Sequence, residues 1–142
     1  MKHRVLFLCT GNSCRSQMAE ALVNSRMGGE WEAFSAGSHP TGFVHPKALQ
    51  VLAEIGIQHQ GRSKSMDEYQ GQAFDLVVTV CDEAAETCPI WLGKGERVHL
   101  GFPDPAEASG SEQEILNTFR SVRRDMNRKI LKLLQDRPNI HP

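Results

Sequence analysis

A cysteine and an arginine stand at the two ends of a short polar loop near the start of the chain. The loop, Cys9-Thr10-Gly11-Asn12-Ser13-Cys14-Arg15-Ser16, follows an apolar run with strand character and precedes an amphipathic helix. Such a turn can point several backbone N–H groups into one concavity, with the positive end of the helix dipole behind them. Arg15 adds a planar pair of donors that suits a tetrahedral oxyanion. The spacing therefore predicts an oxyanion-binding loop with Cys9 at its base.

Cys9 is the candidate nucleophile of this loop. Positive potential favours the charged form of a thiol, so we expect Cys9 to be a thiolate near neutral pH. Taken singly, a cysteine at the end of a strand is more often a small buried hydrophobic residue, and a serine at a helix start is more often a cap. The combination of Cys9, Asn12, Arg15 and Ser16 in one strand-to-helix loop favours the chemical interpretation.

Two more cysteines, Cys81 and Cys88, stand at the ends of a polar segment that follows another apolar run, residues 75–80. If the segment is a helix, its ends lie about 10 Å apart at a rise of about 1.5 Å per residue, which is too far for a disulfide. A pair that closes only when the segment changes shape suits a thiol relay. From the residues alone, an interpretation in which Cys81 is a core residue and Cys88 has no role is equally open.

Short apolar runs alternate with helical periodicity along the chain, which predicts an α/β fold with a parallel sheet. We expect a single domain, residues 1–142, in which a four-stranded parallel sheet is flanked by helices. The strands are predicted at about 4–9, 31–35, 75–80 and 97–101. Helices are predicted at about 16–27, from Pro46 to Gly56, and from Ser111 onward, where Glu114 completes a capping-box pattern.

The predicted sheet brings distant residues together. In open parallel sheets, binding sites lie beyond the carboxyl ends of the strands. Cys9 ends the first predicted strand, Cys81 follows the third, and Asp104 follows the fourth. These three chemically capable residues are therefore predicted to meet at one edge of the sheet.

The composition argues against several other classes of function. With 142 residues, a formal net charge of −1 and a pI near 6.6, the chain offers no electrostatic case for binding nucleic acid or an anionic membrane. No segment has transmembrane length, which favours a cytoplasmic protein whose cysteines rest as thiols. The cysteine spacings, C-x4-C and C-x6-C, differ from those of common zinc sites, so no metal is predicted. We expect a monomer, with the basic residues between positions 120 and 132 on the solvated face of the last helix.

A family resemblance is carried by the string Cys-Thr-Gly-Asn-Ser-Cys-Arg-Ser-Gln-Met-Ala-Glu at positions 9–20. The string resembles the phosphate-binding loop of the low-molecular-weight protein tyrosine phosphatase superfamily, and it is most similar to the thioredoxin-coupled arsenate reductase branch. Cys81 and Cys88, in Asp-Leu-Val-Val-Thr-Val-Cys followed by Cys-Pro, match the two redox cysteines of that branch. Asp104, in Gly-Phe-Pro-Asp-Pro, matches the general acid of the superfamily. The resemblance also implies the flavodoxin-like layering of that superfamily.

The resemblance implies a reaction for each of these residues. The loop would bind arsenate, Cys9 would attack arsenic, and Asp104 would protonate the departing oxygen. Cys81 would then form a transient disulfide with Cys9 as arsenite leaves, and Cys88 would move that disulfide to the Cys81–Cys88 pair. Reduced thioredoxin would be the electron donor, and no cofactor would be bound.

The same resemblance implies supporting roles for other residues of the loop. Ser16 would donate a hydrogen bond to Cys9, Asn12 would hold the shape of the loop, and Cys14 would be structural. Some members of the branch bind potassium beside the loop through residues that match Asn12, Glu20 and Ser35, together with an aspartate. Lys64 stands at the position of that aspartate, so we predict a Glu20–Lys64 ion pair and no potassium dependence.

Two alternatives remain at this point. One is a phosphatase, although Ala106 stands where the phosphatases commonly carry an aromatic residue, and Tyr69 is the only tyrosine in the chain. The other is a thiol redox sensor that switches at Cys81–Cys88, although a sensor needs neither a general acid nor an oxyanion-binding arginine.

Overall fold

The computed structural model of the chain describes residues 2–137, so that Met1 and residues 138–142 of the predicted domain 1–142 lie outside the described range. Within that range, four strands form one sheet: β1 (His3–Cys9), β2 (Trp31–Gly37), β3 (Leu76–Thr79) and β4 (Glu96–His99). All four strands are parallel and lie in the order β2-β1-β3-β4. The predicted α/β fold with a four-stranded parallel sheet is confirmed.

Three α-helices are described: α1 (Arg15–Arg26), α2 (Pro46–Ala53) and α3 (Glu112–Gln135). Pro46 occupies the first turn of α2, where a missing N–H costs nothing. Ser111 and Glu114 form the predicted capping box at the start of α3, because each side chain accepts a hydrogen bond from the backbone N–H of the other residue. Short 3-10 turns occur at Met66–Tyr69 and Pro105–Glu107.

Alternate side chains of β1 point to opposite faces of the sheet, and both faces are buried. Val5 and Phe7 belong to the larger core, which α1, α2 and α3 complete, whereas Leu6 and Leu8 pack with Trp91 and other residues outside the helices. A strand that is buried on both faces has a continuous run of apolar residues, and the sequence of β1 contains such a run.

The prediction that the basic residues between positions 120 and 132 lie on the solvated face of the last helix is partly wrong. Arg123 of α3, which was expected on the solvated face, is only 8% exposed. Its guanidinium donates to the carbonyl of Val51 at 2.7 Å and to Glu54 Oε1 at 3.0 Å. The buried face of α3 that packs against α2 therefore includes the charged side chain of Arg123, which is paired with Glu54.

The strand register brings the carboxyl ends of β1, β3 and β4 side by side. Leu8 pairs with Thr79, and Thr79 pairs with His99. Beyond the strands, the N–H of Val80 donates to the carbonyl of Leu8 at 2.9 Å, and the N–H of Phe102 donates to the carbonyl of Val80 at 3.1 Å. The segments that carry Cys9, Cys81 and Asp104 therefore leave the same edge of the sheet, as predicted. No helix in the described part of the chain is both long enough and apolar enough to cross a membrane.

Candidate active site

Cys9 ends β1, and the loop that follows folds around its sulfur. The N–H of Asn12 donates to Cys9 Sγ at 3.3 Å, and Ser16 Oγ lies 2.8 Å from the same sulfur. Asn12 Nδ2 donates to Ser16 Oγ at 2.7 Å, so the hydroxyl hydrogen of Ser16 is left to donate to Cys9. The predicted contact between Ser16 and Cys9 is therefore present, whereas the ionisation of Cys9 stays a prediction.

Asn12 holds the shape of the loop. Its backbone is left-handed, with φ of 49°, a conformation that asparagine tolerates better than most residues. Its side-chain oxygen accepts hydrogen bonds from the N–H of Lys64 and from Gln17 Nε2, each at 2.9 Å. The residue is fully buried, so these contacts replace the water that its amide would otherwise bind. This geometry agrees with the role that the sequence predicted for Asn12.

The segment after α2 supports the loop from outside, which the sequence did not reveal. Ser63 Oγ donates to the carbonyl of Gly11 at 3.1 Å, and Gln17 Nε2 donates to the carbonyl of Arg62 at 2.9 Å. These contacts join residues about fifty positions apart, and the sequence around residues 57–73 has no periodic pattern that would have indicated them. Only the tertiary fold reveals this support.

A lysine ammonium lies beside the loop at the position predicted for it. Lys64 Nζ is 3.8 Å from Glu20 Oε1 and 3.4 Å from Ser35 Oγ, and Ser35 Oγ donates to Glu20 at 2.7 Å. Burial lowers the pKa of Lys64, and the nearby Glu20 carboxylate opposes that change. The predicted ion pair between Glu20 and Lys64 is present.

Arg15 is almost completely buried, and the structure reveals a partner that the sequence did not. Both terminal nitrogens of its guanidinium donate to the Glu86 carboxylate; the contact from Nη2 to Oε1 is 2.9 Å long. Nη1 also donates to the carbonyl of Phe102 at 3.2 Å, and Nη2 lies 3.6 Å from Asp104 Oδ2. The hydrogen bonds from Arg15 lower the pKa of Glu86 to about 2. Burial alone would lower the pKa of Arg15, but Glu86 and Asp104 outweigh it and raise that pKa.

A cavity of about 240 Å³ opens above the loop and contains three of the predicted catalytic residues. Cys9 and Arg15 line it, and Asp104 lines it from the turn after β4. Asp104 Oδ1 accepts a hydrogen bond from the N–H of Ala106 at 3.0 Å, which fixes the carboxylate at the start of a 3-10 turn. The other lining residues are Gly11, Ser13, Cys14, Thr41, Phe43, His45, Ala106 and Glu107. The arrangement can hold a small anion between a sulfur, a guanidinium and a carboxyl group.

Cys14 lies within the loop but is unsuited to attack a substrate. Burial raises its pKa to about 12, and the charges of Asp104 and Cys9 act in the same direction. A thiol with such a pKa stays protonated near neutral pH and is a poor nucleophile. The structural role of Cys14 stays a prediction.

Cys81 and Cys88 are joined by a disulfide, with Cα atoms 5.8 Å apart. The segment between them is not a regular helix. The N–H groups of Ala85 and Glu86 both donate to the carbonyl of Asp82 at 3.0 Å, which makes a single hydrogen-bonded turn. The pair is therefore in its closed form, which the extended helix considered from the sequence could not adopt.

The free cysteine Cys9 and the disulfide pack into the same hydrophobic core. Cys81 is fully buried, whereas Cys88 is partly exposed at the edge of that core. Cys81 does not line the cavity that contains Cys9, and the transient Cys9–Cys81 disulfide stays a prediction. The structure thus places the Cys81 sulfur in the core that also contains Cys9, and the Cys88 sulfur toward the surface.

His99 stands beside the disulfide and was not singled out from the sequence. A ring nitrogen of His99 and the sulfurs of Cys81 and Cys88 all lie within 4.8 Å of one another. The ring is held by contacts with Thr79 Oγ1 at 2.8 Å and Glu83 Oε1 at 3.0 Å. The two sulfurs are bonded to each other here, so they do not offer thiolate ligands to a metal. The expectation of no metal stays a prediction.

Comparisons with known proteins place this geometry in a family. Residues 4–137 match the family described as "Low molecular weight phosphotyrosine protein phosphatase". An arsenate reductase of Halalkalibacterium halodurans is 45% identical over 130 residues, which cover 91% of this chain and 93% of that protein.

Solved structures agree with the sequence match. The crystal structure of an arsenate reductase from Archaeoglobus fulgidus superposes with a TM-score of 0.78 at 31% identity, covering 92% of this chain and 98% of that one. A thioredoxin-dependent arsenate reductase of Corynebacterium glutamicum superposes with a TM-score of 0.62 at 30% identity, covering 92% of this chain and 62% of that one. With its cysteine-based oxyanion loop and this extent of similarity, the chain belongs to the low molecular weight phosphotyrosine protein phosphatase family.

Proposed function

We propose that this protein is an enzyme that reduces arsenate to arsenite through a cysteine relay, and that reduced thioredoxin regenerates it. The observation that carries the proposal is the placement of the Cys81–Cys88 disulfide at the sheet edge where Cys9 ends β1. The phosphatase chemistry of this family has no use for such a pair. The similarity to arsenate reductases over nine-tenths of the chain supports the same conclusion.

Binding uses the cavity above the loop. Arsenate has the shape and charge of phosphate, and the loop offers Arg15 and backbone N–H groups at the start of α1. Cys9 Sγ then attacks arsenic, forming a sulfur–arsenic bond. One arsenic–oxygen bond breaks, and Asp104 supplies a proton so that the oxygen leaves as water.

Reduction follows when the Cys81 thiolate attacks Cys9 Sγ. A sulfur–sulfur bond forms, the sulfur–arsenic bond breaks, and its electron pair stays on arsenic, which leaves as arsenite. Cys88 next attacks Cys81, which releases Cys9 as a thiolate and leaves the Cys81–Cys88 disulfide seen here. Two electrons have moved from a pair of thiols to arsenic, and a thioredoxin dithiol restores them.

The partly exposed Cys88 suits this last exchange, because an external dithiol needs access to one sulfur of the disulfide. We further propose that the protein works as a cytoplasmic monomer with no bound cofactor and no resident metal, and that it binds neither nucleic acid nor membrane. The near-zero net charge supports the last point.

The alternatives fit the geometry less well. A phosphatase would use Cys9, Arg15 and Asp104 but not the second cysteine pair. A thiol sensor would use Cys81 and Cys88 but not a general acid at the cavity wall. Arsenate reduction uses all five residues.

Multiple-turnover kinetics with arsenate, thioredoxin, thioredoxin reductase and NADPH test the proposal. The wild type should cycle, whereas Cys88→Ser should stop after about one equivalent of arsenite, because the oxidation remains at Cys9–Cys81. Thr87→Ala, which changes the exposed neighbour of Cys88, is the matched control and should keep cycling.

Mass spectrometry after digestion should find the trapped Cys9–Cys81 link in the Cys88→Ser variant. Cys9→Ser should abolish the reduction of arsenate. If Cys88→Ser cycles as fast as the wild type, the relay is wrong. If the wild type hydrolyses phosphate esters but produces no arsenite, the protein is a phosphatase.

A further inference from the structure

Glu86 links the two working parts of the molecule. It lies between Cys81 and Cys88, and its carboxylate accepts hydrogen bonds from both terminal nitrogens of Arg15. It also accepts from Thr10 Oγ1 at 2.8 Å and from the N–H of Asp82 at 3.0 Å. One carboxylate therefore joins the first turn of the redox segment to both ends of the oxyanion loop.

The hydrogen bonds show which edge of the Arg15 guanidinium binds the Glu86 carboxylate. Each terminal nitrogen gives one hydrogen to Glu86, and the remaining hydrogen of Nη1 goes to the carbonyl of Phe102. Among the described residues, none accepts a hydrogen bond from Nε, and Nη2 keeps a second hydrogen on the side of Asp104. Glu86 thus does not occupy the side edge of the guanidinium, which is formed by Nε and Nη2 and has Asp104 Oδ2 3.6 Å from Nη2. This edge offers a second geometry for binding an oxyanion with two hydrogen bonds.

The cavity identifies the side from which Glu86 approaches. Arg15 and Asp104 line the cavity above Cys9, and Glu86 does not. A carboxylate that occupied the place of the substrate would be part of that lining. Glu86 therefore contacts the guanidinium from outside the lining of the cavity, and the space that is open to an anion above Cys9 is not filled by its carboxylate.

We propose that Glu86 is a positioning residue of the oxyanion site, which holds Arg15 so that its remaining donors face the cavity. This positioning role depends on the proposed function only because both concern the oxyanion loop, residues 9–16. The physical reason is preorganisation: a long arginine side chain loses rotamer freedom when it binds an anion, and the loss is smaller when a partner already fixes it.

The direction of the effect distinguishes positioning from competition. Removal of a negative charge next to Arg15 would by itself strengthen the binding of an anion. Loss of the fixed orientation would weaken it. A positioning role therefore predicts weaker anion binding when Glu86 is replaced, against the simple electrostatic expectation.

The experiment titrates inorganic phosphate into the disulfide form of the protein by calorimetry. Glu86→Gln is nearly isosteric but turns an N–H₂ group toward one of the Arg15 donors, so that the paired contact breaks. We expect the dissociation constant for phosphate to rise about tenfold, since a charge-assisted pair is among the stronger hydrogen-bonding contacts. Glu86→Asp keeps the charge on a shorter side chain and should give a smaller rise.

Glu83→Gln is the matched control, because Glu83 lies in the same segment but contacts His99 instead of Arg15. Its dissociation constant for phosphate should equal that of the wild type. A Glu86→Gln protein that binds phosphate as tightly as the wild type, or more tightly, would overturn the proposal.

A second readout separates positioning from a general loss of structure. The rate at which iodoacetamide alkylates Cys9 should fall as phosphate is added, with a midpoint that moves to higher phosphate in Glu86→Gln. The melting temperature and the alkylation rate without phosphate report whether the loop itself is intact. Neither the phosphate titration nor the alkylation of Cys9 requires arsenate turnover. The result for Glu86 is therefore independent of whether the protein reduces arsenate.

Discussion

The oxyanion loop and the redox segment carry the two halves of the chemistry, and they are built in opposite ways. In the loop, residues 9–16, the polar side chains of Asn12 and Ser16 are fully buried and hydrogen-bonded, and Arg15 is 3% exposed. In the segment, residues 81–88, Glu83, Ala84 and Ala85 are exposed and the backbone forms a hydrogen-bonded turn but no helix or strand. The relay proposed above needs the segment to change shape when the disulfide closes, and it needs no such change in the loop.

The difference shows how one small domain combines rigidity with movement. Ser63 and Lys64 hold the loop from a distant part of the chain, and Gln17 holds it from the first turn of α1, so that distortion of the loop breaks several hydrogen bonds at once. The segment depends on Glu86 and on its own disulfide. Regions with few buried contacts open most easily, which is what a thiol relay requires.

Replacement of Asn12 should give the largest effect and tests the rigidity of the loop. Asn12→Ala removes the acceptor for the N–H of Lys64, which is left buried without that partner, and it removes one of the acceptors for Gln17 Nε2. We expect the free energy of unfolding to fall by about 2–4 kcal/mol, as for the loss of a buried hydrogen-bond network. Urea denaturation followed by circular dichroism measures it.

Ala84→Ser in the exposed redox segment is the comparison and should change the free energy of unfolding by less than about 0.5 kcal/mol. Equal losses for the two variants would contradict the contrast drawn between the two regions.

Replacement of Lys64, the buried lysine beside the loop, should have an effect of intermediate size on stability. Lys64→Asp should replace the ammonium by a carboxylate near Glu20 and Ser35, which leaves a set of oxygen atoms suited to a hard cation. The melting temperature of the variant should fall by several degrees in sodium buffer and recover as potassium is added, because ligand binding stabilises the folded state. Differential scanning fluorimetry measures the change.

The wild type is expected to show no difference between sodium and potassium at equal ionic strength. A Lys64→Met variant controls for the loss of the ion pair and should not respond to potassium. A rise in wild-type activity with potassium would show that the ammonium does not replace the metal.

The smallest expected effect is the pH dependence of the Glu86 contact. The hydrogen bonds from Arg15 lower the pKa of Glu86 from an ordinary value of 4.5 to about 2. A carboxylate with a depressed pKa adds stability above the unfolded-state pKa, and this contribution is lost as the pH falls through the folded-state value. The stability difference between wild type and Glu86→Gln should therefore be constant above about pH 5 and shrink between pH 4.5 and 2.

Chemical denaturation across this pH range measures the difference, with Glu83→Gln as the control in the same segment. A difference that is unchanged as the pH falls from 4.5 to 2 would show that the contact does not depend on the charge of Glu86.

Short patterns in the sequence predicted the structural features that depend only on neighbouring residues. The apolar run of β1, the proline that begins α2 and the capping box of α3 were all found from short stretches of sequence. Of the long-range partners, only the Glu20–Lys64 ion pair was predicted, and that prediction came from the family resemblance. The contacts of Arg15 with Glu86 and of Asn12 with the N–H of Lys64 were not predicted, because no periodicity connects those residues. The buried Arg123 was missed for the same reason, since its partner Glu54 lies on another helix.

By itself, the sequence determined the α/β class, the oxyanion loop, and the strand ends that carry Cys9, Cys81 and Asp104, because these depend on residue type and local spacing. Only the tertiary structure decided which groups hold Arg15, what supports the loop and how the segment between Cys81 and Cys88 folds. The physical reason is that a hydrogen bond between distant residues forms only where the packing of the sheet and helices brings donor and acceptor within about 3 Å of each other.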